Sequence, residues 1–271
     1  MFKLTKFLLP TLVLSSLLIG YQQEVNGVDL KHQQEVKRND MNQQQVKRSD
    51  ENDKVVFTFK SIKKDKDNLS IKYPVFEGEA FKDINDFINK EVKEFMNDYN
   101  EERKLAKELA KDGIPYIINF YLDIKPHIID KEVINLKESI YVNAGGAHGW
   151  SGEYWTVFVK DENQKKYVQI NLSDVMNLDK KCEKNLKQAM YKKLKKEGLY
   201  YPDFVLNEDL KKLDNFYLDK KGMVFVLNLA DFGFSRYDGI SLVKIPYSFP
   251  CIKKDGIIKK FLDQQGVKNG L

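Results

Sequence analysis

The sequence predicts an α+β protein in which antiparallel β-sheets pack against a long amphipathic helix and a second, shorter helix. Three observations carry that prediction. Apolar and polar residues alternate over several runs of strand length, apolar residues recur at steps of three and four from Phe81 onward, and strands and helices do not interleave in strict βαβ order.

The N-terminus is a different kind of sequence. Met1 to Lys6 supply two lysines, and Phe7 to Gly20 follows as an uncharged, Leu-rich run of 14 residues. That is the pattern of a secretory signal, and it is shorter than the ~20 apolar residues of a membrane span. Residues 1–21 are therefore expected to be a signal peptide, with retention as an N-terminal anchor the alternative, since Leu17, Leu18 and Ile19 are bulky where a peptidase prefers small residues. The chain is expected to work in the periplasm, on the cell surface or outside a bacterium. Next, Gln22-Gln-Glu-Val, Gln33-Gln-Glu-Val and Gln43-Gln-Gln-Val repeat at spacings of 11 and 10, and Lys37-Arg-Asn-Asp returns as Lys47-Arg-Ser-Asp. One valine in about ten residues buries too little surface to offset ordering entropy, so residues 22–53 are expected to be a disordered tether.

Residues 1–53 carry 7 Lys+Arg and 7 Asp+Glu, so the net charge of +5 resides in residues 54–271. That stretch is long enough for a packed core, and its mild excess is below what a nucleic-acid partner would demand. It divides into an N-terminal α+β half, 54–142, and a C-terminal α+β half, 143–271. Val55 to Ile62 and Leu69 to Val75 flank a polar turn as adjacent strands, with Pro74 marking an edge or an end. Phe81, Ile84, Phe87, Ile88, Val92, Phe95, Met96 and Tyr99 form one helical stripe, with a break expected near Asn97 to Asn100, a continuation through Leu105 and Leu109, and a stop at Gly113. Ile117 to Ile124, Val133 to Val142, Glu153 to Lys160 and Tyr167 to Leu172 follow as an antiparallel meander. Asp179 caps a helix running to Glu197, whose buried face is Cys182, Leu186, Ala189, Met190 and Leu194 and whose remaining surface holds eight lysines. Such a surface suits an acidic polymer or anionic lipid, or is simply solvated. Asn215 to Leu218, Met223 to Leu229 and Ile240 to Tyr247 supply closing strands, and Ile257 to Leu262 a short tail.

Two cysteines, Cys182 and Cys251, fit either a disulfide closing about 70 residues or two buried thiols, and the spacing leaves both readings open. Neither completes a metal site, and no cofactor is expected.

The most distinctive string is Tyr141-Val-Asn-Ala-Gly145-Gly146-Ala147-His148-Gly149-Trp150. Glycines so dense at a strand end imply positive φ or a very close neighbour, and a wedged histidine fixes such a loop through its two ring nitrogens. Tyr141, Gly145, Gly146, His148, Gly149 and Trp150 are the candidate binding residues. A catalytic alternative places His148 with Asp231 and Asp238 as acid and base. The other histidines, His32 and His127, do not make a three-histidine metal site with it.

At these residues the chain resembles the RsiV/PdaC-like extracytoplasmic family. The Gly-Gly-Ala-His-Gly string, the strand Tyr154 to Lys160, the phrase Gln169 to Met176 and the closing strands Phe216 to Asp219, Gly222 to Val226 and Gly239 to Tyr247 are similar to its DUF3298 domain. Leu69 to Val142 resembles the DUF4163-type domain that precedes it. The resemblance covers 203 of 271 residues. Family members include the extracytoplasmic part of an anti-sigma factor that binds lysozyme and a peptidoglycan deacetylase. The resemblance implies a non-catalytic, exported cell-envelope binding module that recognises a peptidoglycan-related polymer or a lysozyme-like protein. The alternative is a small envelope hydrolase or peptidoglycan deacetylase. Neither nucleic acid nor membrane is an expected partner, apart from the membrane contact of a retained N-terminal segment. A cationic lysozyme would be repelled by a net positive domain unless a local acidic face intervened, for which Glu101, Glu102, Glu208 and Asp209 are candidates.

Overall fold

Two runs rich in β-branched and aromatic residues, Phe57–Lys64 (β1) and Leu69–Phe76 (β2), pair antiparallel at the start of the domain. The structure is a computed structural model that describes residues 55–64, 69–145, 149–234 and 239–266, within a compact unit spanning Arg48–Leu271. The segments expected to be an export signal and a repeat tether lie outside the described residues.

After β2 the period of the sequence changes and the chain enters helix α1, Lys82–Lys111. The helix carries the chain back, so that the next strand, β3 (Ile118–Ile128), lies parallel to β2, a pairing that requires a crossover of this kind. β2 is thus an interior strand, not an edge. Its pairing with β3 nevertheless stops at Lys72, so Pro74, which lacks an N–H, lies where β1 is the only registered neighbour. α1 also differs from expectation in running unbroken through Asn97 to Asn100. The reason is Tyr99, which is fully buried and meets Phe120 of β3 edge to face at 5.5 Å, beside Phe95 on the same ring.

β3, β4 (Val133–Ala144), β5 (Trp150–Asp161) and β6 (Lys166–Ile170) complete a six-stranded sheet in sequential order, antiparallel from β3 onward. The β3–β4 turn is closed by Asp130, whose Oδ1 accepts from the backbone N–H of Glu132 at 2.8 Å and of Val133 at 3.1 Å. α1 covers one face through Ile84, Ile88, Val92 and Phe95, packed on Phe120, Leu122 and Ile124 and flanked by Phe87 on Phe158.

The opposite face is covered only at one end. There α2 (Leu172–Val175), α3 (Lys180–Lys196), α4 (Phe204–Asn207), a three-stranded antiparallel sheet of β7 (Phe216–Asp219), β8 (Gly222–Asn228) and β9 (Ile240–Pro246), and α5 (Lys259–Gln264) build a second core against Val133, Val157 and Val159. Val133 to Leu136 is buried at every residue because both faces of β4 are occupied there. Asp179 caps α3 as the sequence predicts, its Oδ1 accepting from the Cys182 N–H at 2.8 Å. Among the described residues no helix is long and apolar enough to cross a membrane.

Three asparagines join the two sheets. Beyond β6, the outer edge of β5 has no strand beside it, and side-chain amides take that place. Asn215 accepts from the N–H of Trp155 at 2.9 Å and donates to the carbonyl of Glu153 at 2.8 Å. Asn228 accepts from the N–H of Glu153 at 2.9 Å and donates to its carbonyl at 3.0 Å. Asn135, wholly buried, accepts from the N–H of Leu218 at 3.1 Å and donates to its carbonyl at 2.9 Å.

Cys182 and Cys251 form a disulfide, with Cα atoms 5.6 Å apart, tying the first turn of α3 to the segment after β9. Closing a loop of this length is worth ~4 kcal/mol in the chain-entropy account. Replacing both cysteines by alanine is expected to lower the urea-unfolding free energy by roughly 3–4 kcal/mol. Asn135→Ala leaves two buried backbone groups of β7 unpaired and is expected to cost about 2 kcal/mol or more in the same titration.

Candidate functional site

Gly145 and Gly149, on either side of the connection between β4 and β5, have aromatic rings lying on their backbone. Gly145 has φ 73°, and a Cβ there would fall inside the ring of Tyr116. A Cβ on Gly149 would overlap the ring of Tyr141, and one on Gly152 would lie 2.7 Å from the ring of Trp150. Tyr116 is pinned in turn, its hydroxyl donating to Glu102 Oε2 of α1 at 2.8 Å. The end of β4 is thereby linked to the helix through one tyrosine.

The candidate residues divide between the two faces of the sheet. Tyr141 is on the face away from α1, exposed and paired with Tyr121 at 5.7 Å. Trp150 shares the α1 side with Gly152 and Tyr154, its ring 6.1 Å from that of Tyr154. Gly146, His148 and Asp238 lie outside the described residues. Asp231 is described. It sits on the turn after β8, 3.4 Å from the Asn228 amide and 3.5 Å from the Tyr154 hydroxyl. Asp231 therefore adjoins the α1 side of β5, next to Trp150's neighbour.

One flank of α1 on that side of the sheet is acidic. Glu138 of β4 is in register with Tyr154 and faces α1, although 95% of its surface is covered (relative exposure 5%). Burial, reinforced by the charge of Glu91 on α1, pushes its pKa up to about 8. Glu91 is itself raised by burial and by Glu94. One turn on, burial together with Glu101, Glu94 and Glu102 pushes Asp98 up to about 6. Glu91, Glu94, Asp98 and Glu101 recur at steps of three and four, so they form one flank of α1. Glu91 of this flank lies close enough to Glu138 to raise its pKa, and Glu138 is in register with Tyr154 of β5, whose ring adjoins Trp150. Of the acids expected to form a face, Glu101 and Glu102 join this flank. Glu208 does not, being paired with Lys212 at 2.7 Å beside α4.

Chemically, such a surface holds cations and planar apolar groups. Carboxyls with raised pKa values lose their mutual repulsion when a cationic group enters, which gives the cluster a preference for basic ligands. Aromatic side chains flanking it supply desolvated anchor area. Sequence reasoning missed Glu138, Glu91 and Tyr154. The signal was present in Glu138, an acid on the apolar phase of Ile134, Leu136, Ile140 and Val142.

Residues 61–151, which contain α1, β3, β4 and the glycine-rich turn, match the family model described as Deacetylase PdaC. No curated protein sequence matches the chain. The chain is similar to a solved DUF3298 family protein from Pseudomonas aeruginosa PAO1, at 15% identity over 74% of this chain and 93% of that one, with a TM-score of 0.51. It is also similar to a member of the DUF3298 family from Bacteroides fragilis NCTC 9343, at 17% identity over 79% and 97%, with a TM-score of 0.49. At these identities the likeness to the solved structures is one of fold. The family match supports a PdaC-type assignment for the segment 61–151.

The buried carboxyl has a measurable signature. In the native state Glu138 keeps its proton up to a pH of about 8, whereas its ordinary pKa is 4.5. Between those values the folded protein binds more protons than the unfolded chain, so the contribution of Glu138 to stability falls as pH rises. Glu138→Gln is expected to raise the unfolding free energy by at least about 1 kcal/mol at pH 8 and to have little effect near pH 4.5, read from urea titrations at the two pH values.

Proposed function

We propose that this chain is an extracytoplasmic, non-catalytic binding module whose ligand is a basic exported protein of the lysozyme kind, held on the acidic flank of α1 with Trp150 and Tyr154 as anchors. The observation that carries the reading is the row Glu91, Glu94, Asp98 and Glu101 above the nearly buried Glu138. A net charge of +5 argues against a cationic ligand only if the charge is spread evenly. It is not, since α3 concentrates lysines on the far side of the sheet. Steering by the local field then favours a cationic partner at the α1 side. Export is supported by the signal-like N-terminus and by the Cys182–Cys251 disulfide, a bond characteristic of oxidising compartments.

A peptidoglycan-related polymer is the second ligand class, because Trp150 and Tyr154 also suit the faces of sugar rings. The description of the matched family favours testing a deacetylase reading as well.

The deciding measurement is binding of the purified chain to a basic lysozyme, by calorimetry and by inhibition of cell-wall lysis at low salt. Binding is expected to weaken roughly tenfold or more when Glu94, Asp98 and Glu101 are replaced by their amides, and to weaken with rising salt. Absence of both binding and inhibition would sink the proposal. Release of acetate from acetylated muropeptides, abolished in His148→Gln without a change in melting temperature, would transfer the protein to the enzyme class.

A further inference from the structure

The net positive charge of this protein comes from one helix. α3 bears eight lysines against a single glutamate, a net +7 that exceeds the +5 of the entire chain. Two of the lysines are paired along the helix, Lys187 with Glu183 at 2.6 Å and Lys193 with Glu197 at 3.7 Å, and Lys195 lies over the ring of Tyr191 at 5.7 Å. For Lys180, Lys181, Lys184, Lys192 and Lys196 there is no acidic partner among the described residues. The opposite side of the helix is fully engaged in the core through Leu186, Met190 and Leu194, so the lysine side points away from the protein.

A second feature adjoins the first. Past Gly198 the chain presents Tyr200 and Tyr201, 84% and 64% exposed, with their rings in edge contact at 4.9 Å. Behind them Phe204 packs on Phe232 at 4.7 Å and on Phe234 at 5.1 Å, and these residues line an open depression of about 780 Å³. Folding gains nothing from two tyrosines held this far out in water. Where apolar rings with polar tips meet a row of unpaired lysines, the chemistry that satisfies both is a layer with anionic head groups over an apolar interior. There the rings enter the interface and the lysines meet the charge. A soluble polyanion would satisfy the lysines and leave the tyrosines unaccounted for.

We propose that the lysine face of α3 and the Tyr200–Phe204 turn form a peripheral docking surface for an anionic phospholipid bilayer. The surface is separate from the acidic flank of α1 and covered by none of the roles assigned to it.

Hydrogen exchange on the full chain, with and without vesicles, tests this locally and independently of the N-terminal segment. Vesicles of phosphatidylcholine and phosphatidylglycerol in equal parts are expected to slow exchange over residues 192–204, while vesicles of phosphatidylcholine alone leave it unchanged. Lys192→Glu with Lys196→Glu is expected to abolish the protection. Tyr200→Ser with Tyr201→Ser is expected to leave only a component that disappears by ~0.3 M salt. No protection of this segment, or equal protection by both vesicle types, overturns the proposal. Equal protection by soluble polyphosphate that survives the tyrosine substitutions also overturns it, and marks a polyanion site instead.

Discussion

The register of the small sheet against the large one is set by side-chain amides that imitate a β-strand. β6 covers only part of β5, and a bare edge in that position is both a solvation problem for the backbone and an invitation to unwanted pairing. Asn215 and Asn228 close it by offering Glu153 and Trp155 the donor and acceptor that a neighbouring strand would have offered. Asn135 performs the same service for β7 from inside the protein. Because a buried amide loses far more when unpaired than it gains when paired, these contacts specify one placement of the small sheet and exclude slipped ones. α3, α5 and the disulfide-bonded Cys251 share one hydrophobic core with that sheet.

The acidic side of the molecule rests on a different device. Glycine at 145, 149 and 152 lets aromatic rings lie directly on the main chain, and Tyr116 reaches from there to Glu102. The long helix is held at its C-terminal half by this contact and along its length by Phe87, Phe95 and Tyr99. Its acids are therefore carried on a rigid rod above a rigid floor. A carboxyl such as Glu138 is retained there at a cost in stability, the usual mark of a residue selected for something other than folding.

Much of this was legible from sequence. The stripe from Phe81 to Tyr99, the Asp179 cap and the meander from Ile117 to Leu172 all stand in the structure close to where periodicity puts them. What escaped did so for identifiable reasons. Asn97 to Asn100 looked like a helix break because local propensity ranks asparagine poorly, and propensity yields when a neighbour such as Tyr99 is wholly buried. The stitching role of Asn135, Asn215 and Asn228 is invisible in one dimension, since their partners lie between 60 and 83 residues away and asparagine ordinarily signals a turn. The parallel step from β2 to β3 was hidden because a helix between strands does not announce on which side of the sheet the chain returns. Glu138 was open to detection by period two alone, and the lysines of α3 were plain. That the two charge groups lie on opposite sides of one sheet was not.

That last arrangement makes the molecule an electrical compass needle. With the lysines of α3 gathered at one side and the rest of the chain close to neutral, the charge of the domain is lopsided in a way its net value does not convey. In the field of a charged wall or partner it experiences a torque as well as a pull. It turns before it touches, and the side that arrives first is decided at a distance.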